Sequence, residues 1–314
     1  MRRVSVLIGL LMLAVVALPA PLAASQSALP LAARSQSAQL QSGQIKVVTS
    51  IGPIADLIRN VGGERVDVLA LVPPGGEPED YDPTPADAAT VSKARVFFAN
   101  GLGLETYLTT LVQSAGSSQI EIVTLSEGLP TIASFGQGAE AGGNPHLWLD
   151  PQNALHYVDV IQQTLTRIDP ASSAAYDANA AAYKARLSQL DASIQQQVET
   201  VPAARRVLVT THDAYPYFAK RYGFTYLAVI SASPSADPSA QEYAQLVKTV
   251  RESRVTAVFG EVGFSERMIA QLAGDTGAAF VGELLTDTLS EAPPTNTYIG
   301  AMEYNADTIV NALR

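Results

Sequence analysis

The chain has 314 residues, 47% of them hydrophobic, enough to bury a sizeable core, and its length alone suggests about two domains. Its formal net charge of −10 argues against nucleic acid and anionic membranes as partners. It contains no cysteine, which excludes disulfides, thiolate metal sites, cysteine nucleophiles and lipid attachment through cysteine.

Arg2 and Arg3 open the chain, residues 4–18 are an apolar run, and PAPLAA (19–24) supplies small residues for cleavage. This pattern predicts a signal peptide over 1–24. A membrane-spanning helix needs about 20 apolar residues, and the run breaks at Pro19. Losing residues 1–24 removes two arginines and no acids, so the net charge moves from −10 to −12. Residues 25–44, rich in Ser, Gln and Ala, read as a flexible leader. The expectation is an exported, periplasmic protein without a lipid anchor.

From Ile45 onward strand-like and helix-like segments alternate. IKVVTSI (45–51) is a strand, PIADLIRNVGG a helix and VDVLALVP (66–73) a strand. TPADAATVSKA (84–94) is a helix with Thr84 as N-cap, Pro85 in the first turn and Asp87 at the third position. RVFFAN (95–100) is a strand, LETYLTTLVQSAG (104–116) a helix, IEIVTLS (120–126) a strand, and 153–168 a helix. Four such units predict a parallel sheet with helices on its faces.

A longer helix then begins at Asp169–Pro170. Tyr176, Ala180, Tyr183, Leu187, Leu190, Ile194, Val198 and Val201 form one apolar stripe at spacings of three and four, and Pro202 ends it. Beyond it come strands RVLVT, TYLAVIS (225–231), TAVFGEV (256–262) and AAFVGELL (278–285), with helices between and after them. The predicted fold is α/β: two lobes, each a parallel four-stranded sheet flanked by helices, joined by one long rigid helix. The boundaries are 45–168 for the first lobe, 169–202 for the linking helix and 203–314 for the second lobe. Ligands in such folds sit beyond the carboxyl ends of the strands, here between the lobes.

Between the second strand and the next helix lies GGEPEDYDPTPAD (75–87), with five carboxylates, three prolines and no basic residue. It is either a solvated turn or a stiff arm that aims carboxylates at a cation. Three histidines are present. His156 lies inside a helix and reads as a packed or surface residue. His146, in NPHLWLDP, is read as a turn residue or a ligand. His212 directly follows a strand, where sites are built. Asp287, in LLTDTLSE, also follows a strand and is read as a cap, a turn residue or a ligand.

Together, GGEPEDYDPTPAD, NPHLWLDP, THDAYPYFAKRYG and LLTDTLSEAPPTNTYIGAMEYN resemble, in order and spacing, the solute-binding proteins of zinc and manganese ABC transporters. The long mid-chain helix is similar too, since that family has two α/β lobes bridged by one helix. The resemblance implies metal ligands at His146, His212 and Asp287. It also implies a first ligand in a P-H-x-Y-E-P-T-P pattern, where this chain has Glu79 in place of the histidine. Glu79 binding through oxygen, Asp80 reaching instead, or loss of the ligand are the three readings. Two histidines with two carboxylates cancel a divalent charge; ligand count looks manganese-like, whereas histidine at 212 looks zinc-like.

The resemblance implies a monomer that carries a divalent ion, zinc first and manganese next, to a membrane permease with its ATPase. Glu261, in FGEVGF, is a further residue that could line the cleft. An enzyme is disfavoured, because the closest two histidines are ten residues apart and cannot form H-E-x-x-H. A same-fold binder of a non-metal or metal-chelate solute, and an adhesion protein, stay open as alternatives. Imidazole ligation predicts that metal binding weakens as pH falls through about 6.5.

Overall fold

The β-branched runs of the first half become four parallel strands: β1 (Ile45–Thr49), β2 (Val66–Ala70), β3 (Val96–Ala99) and β4 (Glu121–Thr124). Their order is β2-β1-β3-β4, with Val47 opposite both Val68 and Val96. The computed structural model describes residues 43–116, 120–134, 142–229 and 238–314. The expected signal peptide and the leader up to residue 42 lie outside the described residues. Parallel neighbours need crossovers, here α1 (Gly52–Gly62), α2 (Pro85–Val91) and α3 (Leu108–Ser114).

The capping chemistry read at α2 is present. Asp87 N–H donates to Thr84 Oγ1 at 3.3 Å, and the Asp87 carboxylate accepts from the Thr84 N–H at 2.7 Å. Tyr81 hydroxyl donates to the same carboxylate at 2.9 Å, which ties the end of the acidic loop to the helix start. Helix α3 is shorter than the expected 104–116. The Glu105 carboxylate accepts from Ser50 Oγ at 2.6 Å and from the N–H groups of Asn100 and Gly101 at 2.8 and 3.0 Å. Those bonds hold residues 100–105 as a turn, with Leu102 at positive φ, and delay the helix.

Helix α4 (Pro151–Ile168) leads through a short 3-10 turn to α5 (Ser173–Glu199). At about 1.5 Å per residue, α5 is roughly 40 Å long. Its stripe Tyr176, Ala180, Tyr183, Leu187, Leu190, Ile194 and Val198 is buried throughout. The cluster it joins contains Val47, Ile54 and Tyr157 from one end of the chain and Leu208, Phe259 and Leu313 from the other, so the helix packs against both halves of the chain. Asp191 of α5 accepts from Gln152 at 2.9 Å, from Arg221 Nε at 2.9 Å and from Tyr222 at 3.0 Å, fastening elements before and after it.

The second half comprises β5 (Val207–Thr210), α6 (Pro216–Tyr222), β6 (Thr225–Val229), α7 (Ala240–Glu252), β7 (Ala257–Glu261), α8 (Glu266–Thr276), β8 (Ala279–Leu284) and α9 (Tyr298–Leu313). Its strands pair in parallel two by two, β5 with β6 and β7 with β8, where one four-stranded sheet was expected. The register shifts between Leu208 and Val209 in the first pair and between Phe259 and Glu261 in the second. Where β5 and β7 approach, the His212 N–H donates to the Glu261 side chain at 2.9 Å instead of to a strand carbonyl. No helix among the described residues is long and apolar enough to cross a membrane.

Candidate metal centre

His212, Glu261 and Asp287 share one design: each stands at or just past a strand end and is buried. Glu261 closes β7, His212 is two residues past β5, and Asp287 is three past β8. His146 precedes the 3-10 turn Leu147–Leu149. The strand ends aim these groups at one point, as open α/β sheets do.

His146, His212 and Asp287 are all buried, and one ligand atom from each lies within 4.8 Å of the others. His146 Nε2 and His212 Nε2 are 3.1 Å apart. Asp287 Oδ1 is 3.5 Å from His146 Nε2, and Oδ2 is 3.5 Å from His212 Nε2. Ligands at about 2.1 Å around a tetrahedral ion stand roughly 3.4 Å apart, so the two imidazole nitrogens and the Asp287 carboxylate lie at about the spacing of neighbouring ligands in a coordination shell. Asp287 Oδ1 is buried and has no hydrogen-bond partner, a costly state for an oxygen unless a cation completes it.

The other ring nitrogens are held from behind. His146 Nδ1 lies 3.1 Å from Asn144 Oδ1, which also accepts the His146 N–H at 3.0 Å. His212 Nδ1 faces Glu261 Oε2 at 2.9 Å, and Thr286 Oγ1 donates to that carboxylate at 2.6 Å. Phe264 stacks on the His212 ring at 4.4 Å. The His212 carbonyl accepts from Thr210 at 2.8 Å and Tyr226 at 2.9 Å. Both imidazoles therefore present Nε2 to the same point, as ligating histidines braced by outer partners do.

Electrostatics separate the two rings. Burial, with His212 beside it, holds the His146 imidazole well below its ordinary value. Burial also pulls His212 down, but Glu261, Asp287 and Glu79 outweigh it and raise that imidazole to about 10. Asp287 is pushed up to about 7 by burial and by Glu79 and Glu261, against the opposing pull of His212. Ligand chemistry alone put both rings near 6.5; the structure places one below and one above, because Glu261 lies against His212, and Asp287 and Glu79 add to its pull, whereas burial and the neighbouring His212 prevail at His146.

Glu79 is half-buried in the acidic loop. Its charge acts on His212 and Asp287, but it is not among the three residues whose ligand atoms converge. Asp80 is exposed, and His156 lies apart, with Nε2 2.9 Å from the Glu127 carbonyl. The sequence reading did not pick out Glu77. Burial, then Asp287, Glu261 and Glu79, raise its carboxyl to about 8 against the pull of His212, so it too feels the charges of the site. It also did not assign Glu261 to His212; a carboxylate closing a strand was the available signal.

Direct bonds close the cleft around the site. Trp148 Nε1 donates to the Thr286 carbonyl at 3.0 Å, and Tyr217 hydroxyl to the Asn144 carbonyl at 2.7 Å. Gly75 N–H donates to Thr288 Oγ1 at 2.9 Å, carrying the acidic loop across to the residue after Asp287. A cavity of about 290 Å³ reaches Asp287 between Pro73 and Pro74 on one side and Thr288 and Ser290 on the other. A larger cavity of about 630 Å³ lies behind the loop, between α2 and α3, and touches none of the converging residues.

Residues 47–312 match the model of the family described as zinc-uptake complex component A, periplasmic. The chain is 36% identical over 270 residues to the manganese-binding lipoprotein MntA of Halalkalibacterium halodurans, covering 86% of this chain and 88% of that one. It is 34% identical over 270 residues to the iron-binding protein YfeA of Yersinia pestis, covering 85% of each. Among solved structures, the periplasmic zinc binding protein TroA from Treponema pallidum aligns with a TM-score of 0.79 and 30% identity. That alignment covers 86% of this chain and 99% of that one.

Proposed function

This chain belongs to the family of periplasmic zinc-uptake components A, and we propose that it captures a divalent transition-metal ion outside the cytoplasm and delivers it to an ABC-transporter permease with its ATPase. The observation that carries the reading is the buried convergence of His146, His212 and Asp287, with Asp287 Oδ1 lacking a hydrogen-bond partner. His146, His212 and Asp287 hold the ion, and Glu79 closes over it in place of the family's histidine. Two imidazoles favour zinc by the Irving–Williams order, with manganese next; relatives are named for manganese, iron or zinc.

The protein acts in the periplasm as a monomer of two lobes, 45–168 and 203–314, joined by the helix over 169–202. Bonds across the cleft, such as Trp148 to Thr286, support small movements on loading, not wide hinge opening. The same convergence disfavours the non-metal solute left open by the sequence. A capture protein needs a closed ligand set, unlike a catalytic ion, which keeps a position open for water, so no enzymatic role is assigned.

Calorimetric titration of chelator-stripped protein with zinc and with manganese tests this. Saturable one-to-one binding is expected, weakened about tenfold, ~1.4 kcal/mol, by Glu79→Ala. Absence of saturable binding by the unmodified protein would defeat the reading.

A further inference from the structure

The loop that carries Glu79 brings a second carboxylate with it, and that one lies against Gly263. Gly75, two residues before Glu77, is bonded to Thr288. Gly263, two residues past Glu261, has φ +99°, and a Cβ on it would collide with Glu77 Oε1 and fall 3.1 Å from the Gly75 carbonyl. The Glu77 carboxylate thus lies directly against the Gly263 α-carbon, in a position that only glycine leaves open. No described residue donates a hydrogen bond to Glu77, and the charges that act on it are those of Asp287, His212, Glu261 and Glu79. A half-buried carboxylate without a donor, seated against Gly263 and within the field of Asp287 and His212, is poised for a cation.

We propose that Glu77 is a second loop ligand, making a set of two nitrogens and three carboxylates, and that it shifts the metal preference of this site from zinc toward manganese. This rests on the metal-capture reading above. Zinc is satisfied by four ligands, which His146, His212, Asp287 and one loop carboxylate supply. Manganese takes higher coordination and prefers carboxylate oxygen; for it, a further carboxylate adds a bond, whereas for zinc it adds only nearby charge. Glu77 therefore acts on the difference between the two ions more than on the strength of either.

The test is competition of zinc and of manganese against a chromophoric chelator, using chelator-stripped full chain, Glu77→Gln and Glu77→Asp. Glu77→Gln keeps size and removes the anionic ligand. It is expected to weaken manganese at least about tenfold and zinc less than about threefold, with Glu77→Asp recovering part of the manganese affinity. The electron paramagnetic resonance spectrum of bound manganese should also change its zero-field splitting in Glu77→Gln. Equal weakening of both metals, as a misfolded loop would give, overturns the proposal, and so does an unchanged ratio. If the unmodified protein binds neither metal, the capture reading itself falls; if it binds both and only the ratio stays fixed, this inference alone fails.

Discussion

His212 and Glu79 face the same cleft, but the chain holds them on different terms. His212 is buried, follows a strand by two residues, and has its ring nitrogen, ring face and carbonyl each occupied by Glu261, Phe264, and Thr210 with Tyr226. Glu79 is half-buried on a proline-rich loop tied down by bonds from Gly75 to Thr288 and from Tyr81 to Asp87. One wall of the site is built on strand ends and braced from behind; the other is carried by a loop. Binding strength should therefore reside in His146, His212 and Asp287, and the choice of ion in the loop.

The largest effect should come from cutting the braced wall. His212→Ala removes a ligand and leaves Glu261 and Asp287 facing each other, so metal affinity should fall about a thousandfold, ~4 kcal/mol. A calorimetric loss no greater than that of Glu79→Ala would erase the distinction between the walls.

Next comes the pH dependence. Carboxylates raise His212 to about 10, so in the metal-free protein it carries a proton through the neutral range. Ligation needs the neutral ring, so an arriving ion must displace that proton. Affinity should rise with pH, by about tenfold per unit near pH 9, and steepen below about 8 and again below about 7, where Glu77 and then Asp287 also take a proton. His146, held well below its ordinary value, adds nothing to the slope. Titrations in buffers of different ionisation enthalpy count the released proton; a flat profile would show that His212 is not a ligand.

Glu261→Gln sharpens the comparison further. Its loss frees the His212 ring to rotate, which should cost about ten- to a hundredfold in affinity at pH 9. It also lowers the His212 proton affinity, so the pH slope should flatten and the deficit shrink toward neutrality. A uniform deficit at every pH would reduce Glu261 to a packing role.

Much of this was legible in the sequence, and what was not had local causes. Strand and helix alternation is carried by β-branched runs and by the stripe of Tyr176, Leu187 and Ile194, whose periodicity survives any tertiary setting. The start of α2 was readable because Thr84 and Asp87 cap it with their own side chains. His146, His212 and Asp287, each open when read alone, were legible through the family resemblance of the motifs around them, and the structure brings them together. Glu105 was not readable: its bonds to Ser50, Asn100 and Gly101 depend on β1 and β3 being neighbours, and they replace four expected helical residues with a turn. Glu77 was hidden for a similar reason. Within GGEPEDYDP it is one acid among several, and only the approach of Gly263, almost two hundred residues later, singles it out.

The most direct test is a crystal structure of the zinc-loaded protein with anomalous data at the zinc edge. The account predicts one strong peak about 2.0–2.2 Å from His146 Nε2, His212 Nε2 and an Asp287 oxygen, with a loop carboxylate closing the shell. A peak elsewhere, or a loaded site from which His146 or His212 is turned away, would contradict it.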